Sequence, residues 1–177
     1  VAFALSEIMV ISQLSTLVGY PWGSASYYDM LAQNAFGNFR TLMEDVTLHP
    51  AMGVYLSMLG NQKPDALRNI RPDENYAREL MQLFTVGLVE LNLDGSVRRD
   101  GQSNPVPTYY QAVIEGFAHV YTGWTYAGAP SFALAFPTIA NQVVPMQAYA
   151  EQHDTEGHER RDDDRREPAE RNAGSGG

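Results

Sequence analysis

Apolar residues run from Ala2 to Leu17 with few interruptions, chiefly Glu7, Gln13 and some hydroxyls. The stretch has no basic leading region and no small-residue cleavage pattern, so it reads poorly as a signal peptide. A carboxylate and scattered polar groups also weaken it as a membrane span, and the pattern predicts a buried core helix. Two amphipathic helices follow, over 25–36 and 38–48, parted near Gly37. His49-Pro50 restarts the chain, because proline disfavours α geometry in the residue before it and suits the first helical position. A short helix is therefore expected over 50–59, stopped by Gly60-Asn61. The next, over 72–87, has Pro72, Asp73 and Glu74 at its positive end and Gly87 after it. An Asp-Gly turn between short apolar runs marks a small β-hairpin near 91–97. Thr108 and Gln111 have capping-box spacing for a last helix over 109–122, and beyond Trp124 irregular structure is expected. The pattern as a whole predicts a mainly α fold, an irregular multi-helix bundle with one small hairpin.

Helical wheels single out the polar residues that sit in unexpected places. Glu7 is bracketed by Phe3, Val10, Ile11 and Leu14, which sets a carboxylate on an apolar face. Burying it demands protonation, a basic partner or hydrogen bonds, so a tuned acid, a metal ligand or a structural ion pair are the readings open. In the 72–87 helix, Tyr76, Leu80, Leu83 and Phe84 form the apolar arc, while Asn75, Arg78, Glu79 and Gln82 share the opposite stripe. That stripe is either a solvated face stitched by a Glu74–Arg78 pair or the wall of an interior site with Arg as anion clamp. Asp45 and His49 are four apart and could form an oriented base or a metal pair. His49 precedes proline, however, so a junction histidine bonded to backbone is the competing reading. His119 and Glu115 read as a solvated polar face.

Composition narrows the chemistry. The chain has 177 residues, with 12 Lys and Arg against 21 Asp and Glu, a formal charge of −9. That argues against a general nucleic-acid binder, which needs clustered positive charge. The absence of cysteine excludes disulfide frameworks, thiolate metal sites and thiol nucleophiles. No G-x-S-x-G elbow, phosphate-binding Gly loop, dinucleotide fingerprint or H-E-x-x-H helix occurs. The charge is uneven, for residues 151–177 hold 5 Arg and 9 acidic residues and no Leu, Ile, Val, Met or aromatic. Such a segment cannot offset its ordering entropy by burial, so it is expected to be disordered, with the folded part, residues 1–150, being a fragment of one helical domain.

The blocks AFALSEIMVIS (2–12), YYDMLAQNAFGNFRTLMEDVTLHPAMGVYLSMLGNQK (27–63), RPDENYARELMQLFTVGLVELNLDG (71–95) and PVPTYYQAVIEGFAHVYTGWT (105–125) carry a resemblance. Through them the chain resembles the bacterial domain-of-unknown-function family 1800, over nearly all of residues 1–150. Members of that family are longer, have an export signal upstream, and often occur beside a family resembling sulfatases and alkaline phosphatases. The resemblance implies an exported protein of the periplasm or cell envelope, with a sulfatase- or phosphatase-like protein encoded nearby as a partner. It implies no reaction and no catalytic residue. The family pattern after Tyr149 continues with a His-Asp pair, matched by His153-Asp154, then a Lys where His158 stands and an apolar stretch that this chain lacks. A truncated fragment with an out-of-frame tail is the resulting expectation.

Two functions remain open. One is an enzyme, or a partner of one, whose catalytic candidates are Glu7, His49, Arg78 and Glu79, supported by Asp45, Asn75 and Glu74. Carboxylates with one histidine suit a divalent metal or acid–base hydrolysis, and neither a metal nor another cofactor is specified. The other is a non-catalytic envelope scaffold with a Tyr- and Trp-rich patch around Tyr27, Tyr28, Tyr126 and Trp124.

Overall fold

The computed structural model describes residues 1–154; the expected disorder of 151–177 falls outside them from 155 onward, whereas 151–154 are held in place, with Glu151, His153 and Asp154 hydrogen-bonded to the fold. Among the described residues there are six α-helices: α1 (Ala2–Ile8), α2 (Pro21–Gln33), α3 (Phe39–Leu48), α4 (Pro50–Tyr55), α5 (Asn75–Glu79) and α6 (Gln111–Val120). Two strands, β1 (Trp124–Thr125) and β2 (Gln147–Ala148), pair antiparallel, with Trp124 opposite Ala148 and Thr125 opposite Gln147. The fold is mainly α, as the apolar pattern requires.

Local chemistry explains most boundaries. Pro21 opens α2 at the position where its missing N–H costs nothing. The Asn38 side chain caps α3 by accepting from the Arg40 amide at 2.8 Å. Between α3 and α4 the backbone of His49 is extended, and Pro50 opens α4. The core joins α2, α3 and α4 through residues such as Tyr27, Leu31, Val46 and Met52, and it also buries Tyr76 and Phe84. A smaller cluster, Ala77 with Ile114 and Ala118, packs α5 on α6.

Four expectations need correction. The 2–17 run is not one core helix: α1 ends at Ile8 and has no fully buried residue, only Leu5 packing partly against the core, the chain leaves the helix at Met9, and a 3₁₀ turn follows over Thr16–Gly19. Met9, Ile11 and Leu17 reach the core individually, with the Met9 carbonyl held by the Tyr27 hydroxyl at 2.8 Å. The break is local, since Ser12 and Ser15 bond nearby backbone groups and so compete with helical pairing. The 72–87 helix is α only over Asn75–Glu79 and then widens into a π turn over Leu80–Phe84, closed by the Thr85 hydroxyl on the Leu80 carbonyl at 2.7 Å. Wider winding rotates the residues of this turn away from the α register, so Leu83, expected in the apolar arc, is 55% exposed.

The capping box does not form, because Thr108 donates instead to the Gly87 carbonyl and Tyr110 stands at the N-cap with no side-chain bond. The aromatic patch is also absent as drawn, for Tyr27 and Tyr126 are buried and Trp124 is half-buried. The 91–97 turn does bring Leu91 opposite Val97, and the adjoining bridges Val89–Pro107 and Arg99–Pro105 extend that pairing to a third segment. No helix of the described residues is long and apolar enough to cross a membrane.

Candidate functional site

His49 sits at the α3–α4 junction and is almost fully buried. Its Nδ1 accepts from the Ala51 amide at 3.2 Å, capping α4, and its Nε2 lies 3.0 Å from the Ser26 hydroxyl. A ring whose Nδ1 accepts must carry its neutral proton on Nε2, so that proton points at Ser26. Burial pulls its pKa down to about 4, against the nearby Asp45 charge that pushes it up. His49 is therefore a neutral cap, with no lone pair left to activate Ser26. Asp45 lines the same cavity of about 330 Å³, with Asp29 and Ser26, and accepts from Asn34 Nδ2 at 2.8 Å.

The other sequence candidates lie elsewhere. Glu7 is exposed on α1 and lines neither this cavity nor the cavities at Tyr20 and at His119. Glu74 and Arg78 pair at 2.8 Å, and Gln111 of α6 reaches both, donating to Glu74 at 2.9 Å and accepting from Arg78 at 3.3 Å. The pair thus ties α5 to α6 at a half-exposed face. Asn75 is exposed, its amide held by Asp73 Oδ1 at 2.8 Å. Glu79 is half-buried, and its Oε2 is enclosed without a hydrogen-bond partner among the described residues. The seven candidates do not converge on one pocket. Asp45 and His49 share one cavity, and Glu74 lines another. Thr47 and Tyr76, bonded at 2.7 Å, tie α3 to α5.

A different pair shows the geometry of an acid–base site. His119 of α6 places Nδ1 2.6 Å from Asp154 Oδ2. An ionised carboxylate only accepts, so Nδ1 is the donor, and in the neutral ring the lone pair is on Nε2. Asp154 is fixed in turn, its amide donating to the Thr122 hydroxyl at 2.8 Å, while the neighbouring His153 Nδ1 lies 2.7 Å from the Thr122 carbonyl. Gly123 makes this approach feasible: with φ of +78° it is already in the left-handed region, and a Cβ there would fall 2.4 Å from the His153 nitrogen. His119 lines a cavity of about 280 Å³ with Arg71, Glu74 and Glu115. Sequence alone misses this pair because α6 by itself shows His119 on a polar face. The hint available in sequence was the His153-Asp154 dipeptide noted through the family resemblance. Among the described residues no three His, Asp or Glu side chains gather into a group able to hold a metal ion.

Over residues 1–169 the chain matches the family described as "Protein of unknown function (DUF1800)". No curated protein and no solved structure matches it.

Proposed function

The chain belongs to the DUF1800 family of proteins of unknown function, and within it we propose that this member supplies a proton-transfer site built on His119 and Asp154. The observation that carries the reading is the 2.6 Å contact of His119 Nδ1 with Asp154 Oδ2, in a residue that also lines a cavity. A carboxylate on Nδ1 orients the ring and stabilises the imidazolium that forms when Nε2 takes a proton, the arrangement general acid–base catalysis needs. Arg71, Glu74 and Glu115 line the same cavity and give it groups of both signs to orient a polar substrate. Hydrolysis or group transfer at a polar bond is the reaction class. A place in the periplasm or cell envelope, beside a sulfatase- or phosphatase-like partner, belongs to the same proposal and rests on the family resemblance.

The test has two readouts. Ring-nitrogen NMR of the full chain should find the neutral His119 ring in the Nδ1–H form, and Asp154→Asn should release it into a tautomer mixture. On a panel of chromogenic carboxylate and phosphate esters, His119→Gln should lower any turnover by about 100-fold or more, the lower range for a general base. An Nε2–H tautomer in the wild type, or turnover unaffected by His119→Gln, refutes the proposal.

A scaffold role is the second reading, favoured by one observation. Phe3, Leu14, Val18 and Trp22 are all exposed within the first 22 residues, apolar side chains available to a partner. On that reading His119→Gln would change nothing, while a charge at Leu14 would abolish co-purification with a partner.

A further inference from the structure

A second cavity is separate from the dyad and differs in character. It measures about 720 Å³, within the range of small-molecule sites, and lies between the 3₁₀ turn, the 54–62 segment and Tyr126. Val54, Leu59 and Ile70 supply apolar wall, and Thr16, Tyr20, Ser57 and Gln62 supply neutral hydrogen-bonding groups. Among the described residues no Lys, Arg or His lines it, and its single charged residue is Asp73.

Two details show which of these groups are available to a ligand. Tyr126 Oη donates to Tyr20 Oη at 2.9 Å, which leaves the Tyr20 proton to be donated onward. Asn61 is occupied as framework, since its side-chain amide bonds both the amide and the carbonyl of Asp73, at 2.8 and 3.3 Å. Ser57 adds a third point. It follows the α4 C-cap Leu56 with φ of +61°, a left-handed position that glycine fills without the steric cost serine bears. The hydroxyl-bearing residue present there lines the cavity.

We propose that this cleft binds a neutral saccharide unit. A purely apolar ligand would leave the hydroxyls and the Gln62 amide without partners, and an anion would meet Asp73 with no compensating cation. A pyranose offers what the lining matches, with C–H faces for the aliphatic wall and tyrosine rings and a rim of hydroxyls for Thr16, Tyr20, Ser57 and Gln62. The cleft also adjoins the dyad's cavity, because Ile70 and Asp73 face the first while Arg71, Pro72 and Glu74 face the second.

Saturation-transfer NMR on the full chain tests this with glucose, N-acetylglucosamine, cellobiose and glucuronate as probes. The neutral sugars should show transfer at concentrations up to about 10 mM, and glucuronate should not. Gln62→Ala and Tyr20→Phe should each weaken binding by about fivefold, the value of one lost hydrogen bond. Thr16→Ala, which removes one lining hydroxyl, serves as the third variant should circular dichroism show Tyr20→Phe to be unfolded. Asp73→Asn keeps the cap on Asn75 and should admit glucuronate. His119→Gln should leave all of this unchanged, which separates the cleft from the proton-transfer reading. No transfer from any neutral sugar, equal binding of glucuronate and glucose, or full affinity in folded Gln62→Ala overturns the proposal.

Discussion

His49 commits one ring nitrogen to the Ala51 amide and the other to Ser26 inside a nearly closed environment, and acid is the means to undo it. Its folded pKa of about 4 lies below the ordinary value of 6.5. The unfolded chain therefore binds more protons between those two values, and stability falls as pH drops through that window. Urea unfolding should show a loss of about 2 kcal/mol from pH 7 to pH 5 attributable to this residue. In His49→Asn, which can still cap a helix, that part of the slope should vanish; an unchanged slope would assign the acid sensitivity elsewhere. The capping role was legible in the His-Pro dipeptide, because the constraint of proline on its predecessor is local. His119 was not legible, since its partner is 35 positions away and a helical wheel sees only its own helix. Glu7 misled for the opposite reason: its apolar neighbours in sequence proved to be exposed ones such as Phe3 and Leu14.

At the scale of elements, two connections of similar appearance should differ in strength. The Glu74–Arg78–Gln111 group joins α5 to α6 at a half-exposed face, where exposed ion pairs contribute little. Asn61 is buried and bonds both backbone groups of Asp73, fixing the segment that leads into α5. Asn61→Ala should lower stability by about 2 kcal/mol and Arg78→Ala by less than about 0.5 kcal/mol, compared through denaturant midpoints. Equal losses would mean that the amide clamp is not what holds the segment. The start of α4 at Pro50 could be read from sequence, for proline acts through its own backbone, whereas α2 begins at Pro21, four residues before the expected start at 25. The π turn after Glu79 could not, because it depends on Thr85 bonding the Leu80 carbonyl instead of continuing the helix. Thr108 failed as a cap for a related reason, its hydroxyl being drawn to Gly87 across the structure.

Across the whole molecule, exposed apolar side chains near the start of the chain coexist with a charge of −9. Leu14 is 98% exposed and Val18 80% exposed, and such surface favours association once repulsion is screened. Sedimentation velocity should therefore show self-association that grows with salt and protein concentration, and Leu14→Lys with Val18→Lys should return the monomer. A wild-type monomer at every salt concentration would show that these side chains are inert. The mainly α class was readable because helical periodicity is a property of contiguous residues. The pairing of β1 with β2 and the closure of Asp154 on α6 were hidden, since both join segments distant along the chain. That separation also has a meaning in time. A ribosome adding roughly 5–20 residues per second places Asp154 about two to seven seconds after His119. During that interval the nascent chain already presents a histidine whose carboxylate partner has yet to be made, so the contact between them cannot help α6 to form as it emerges.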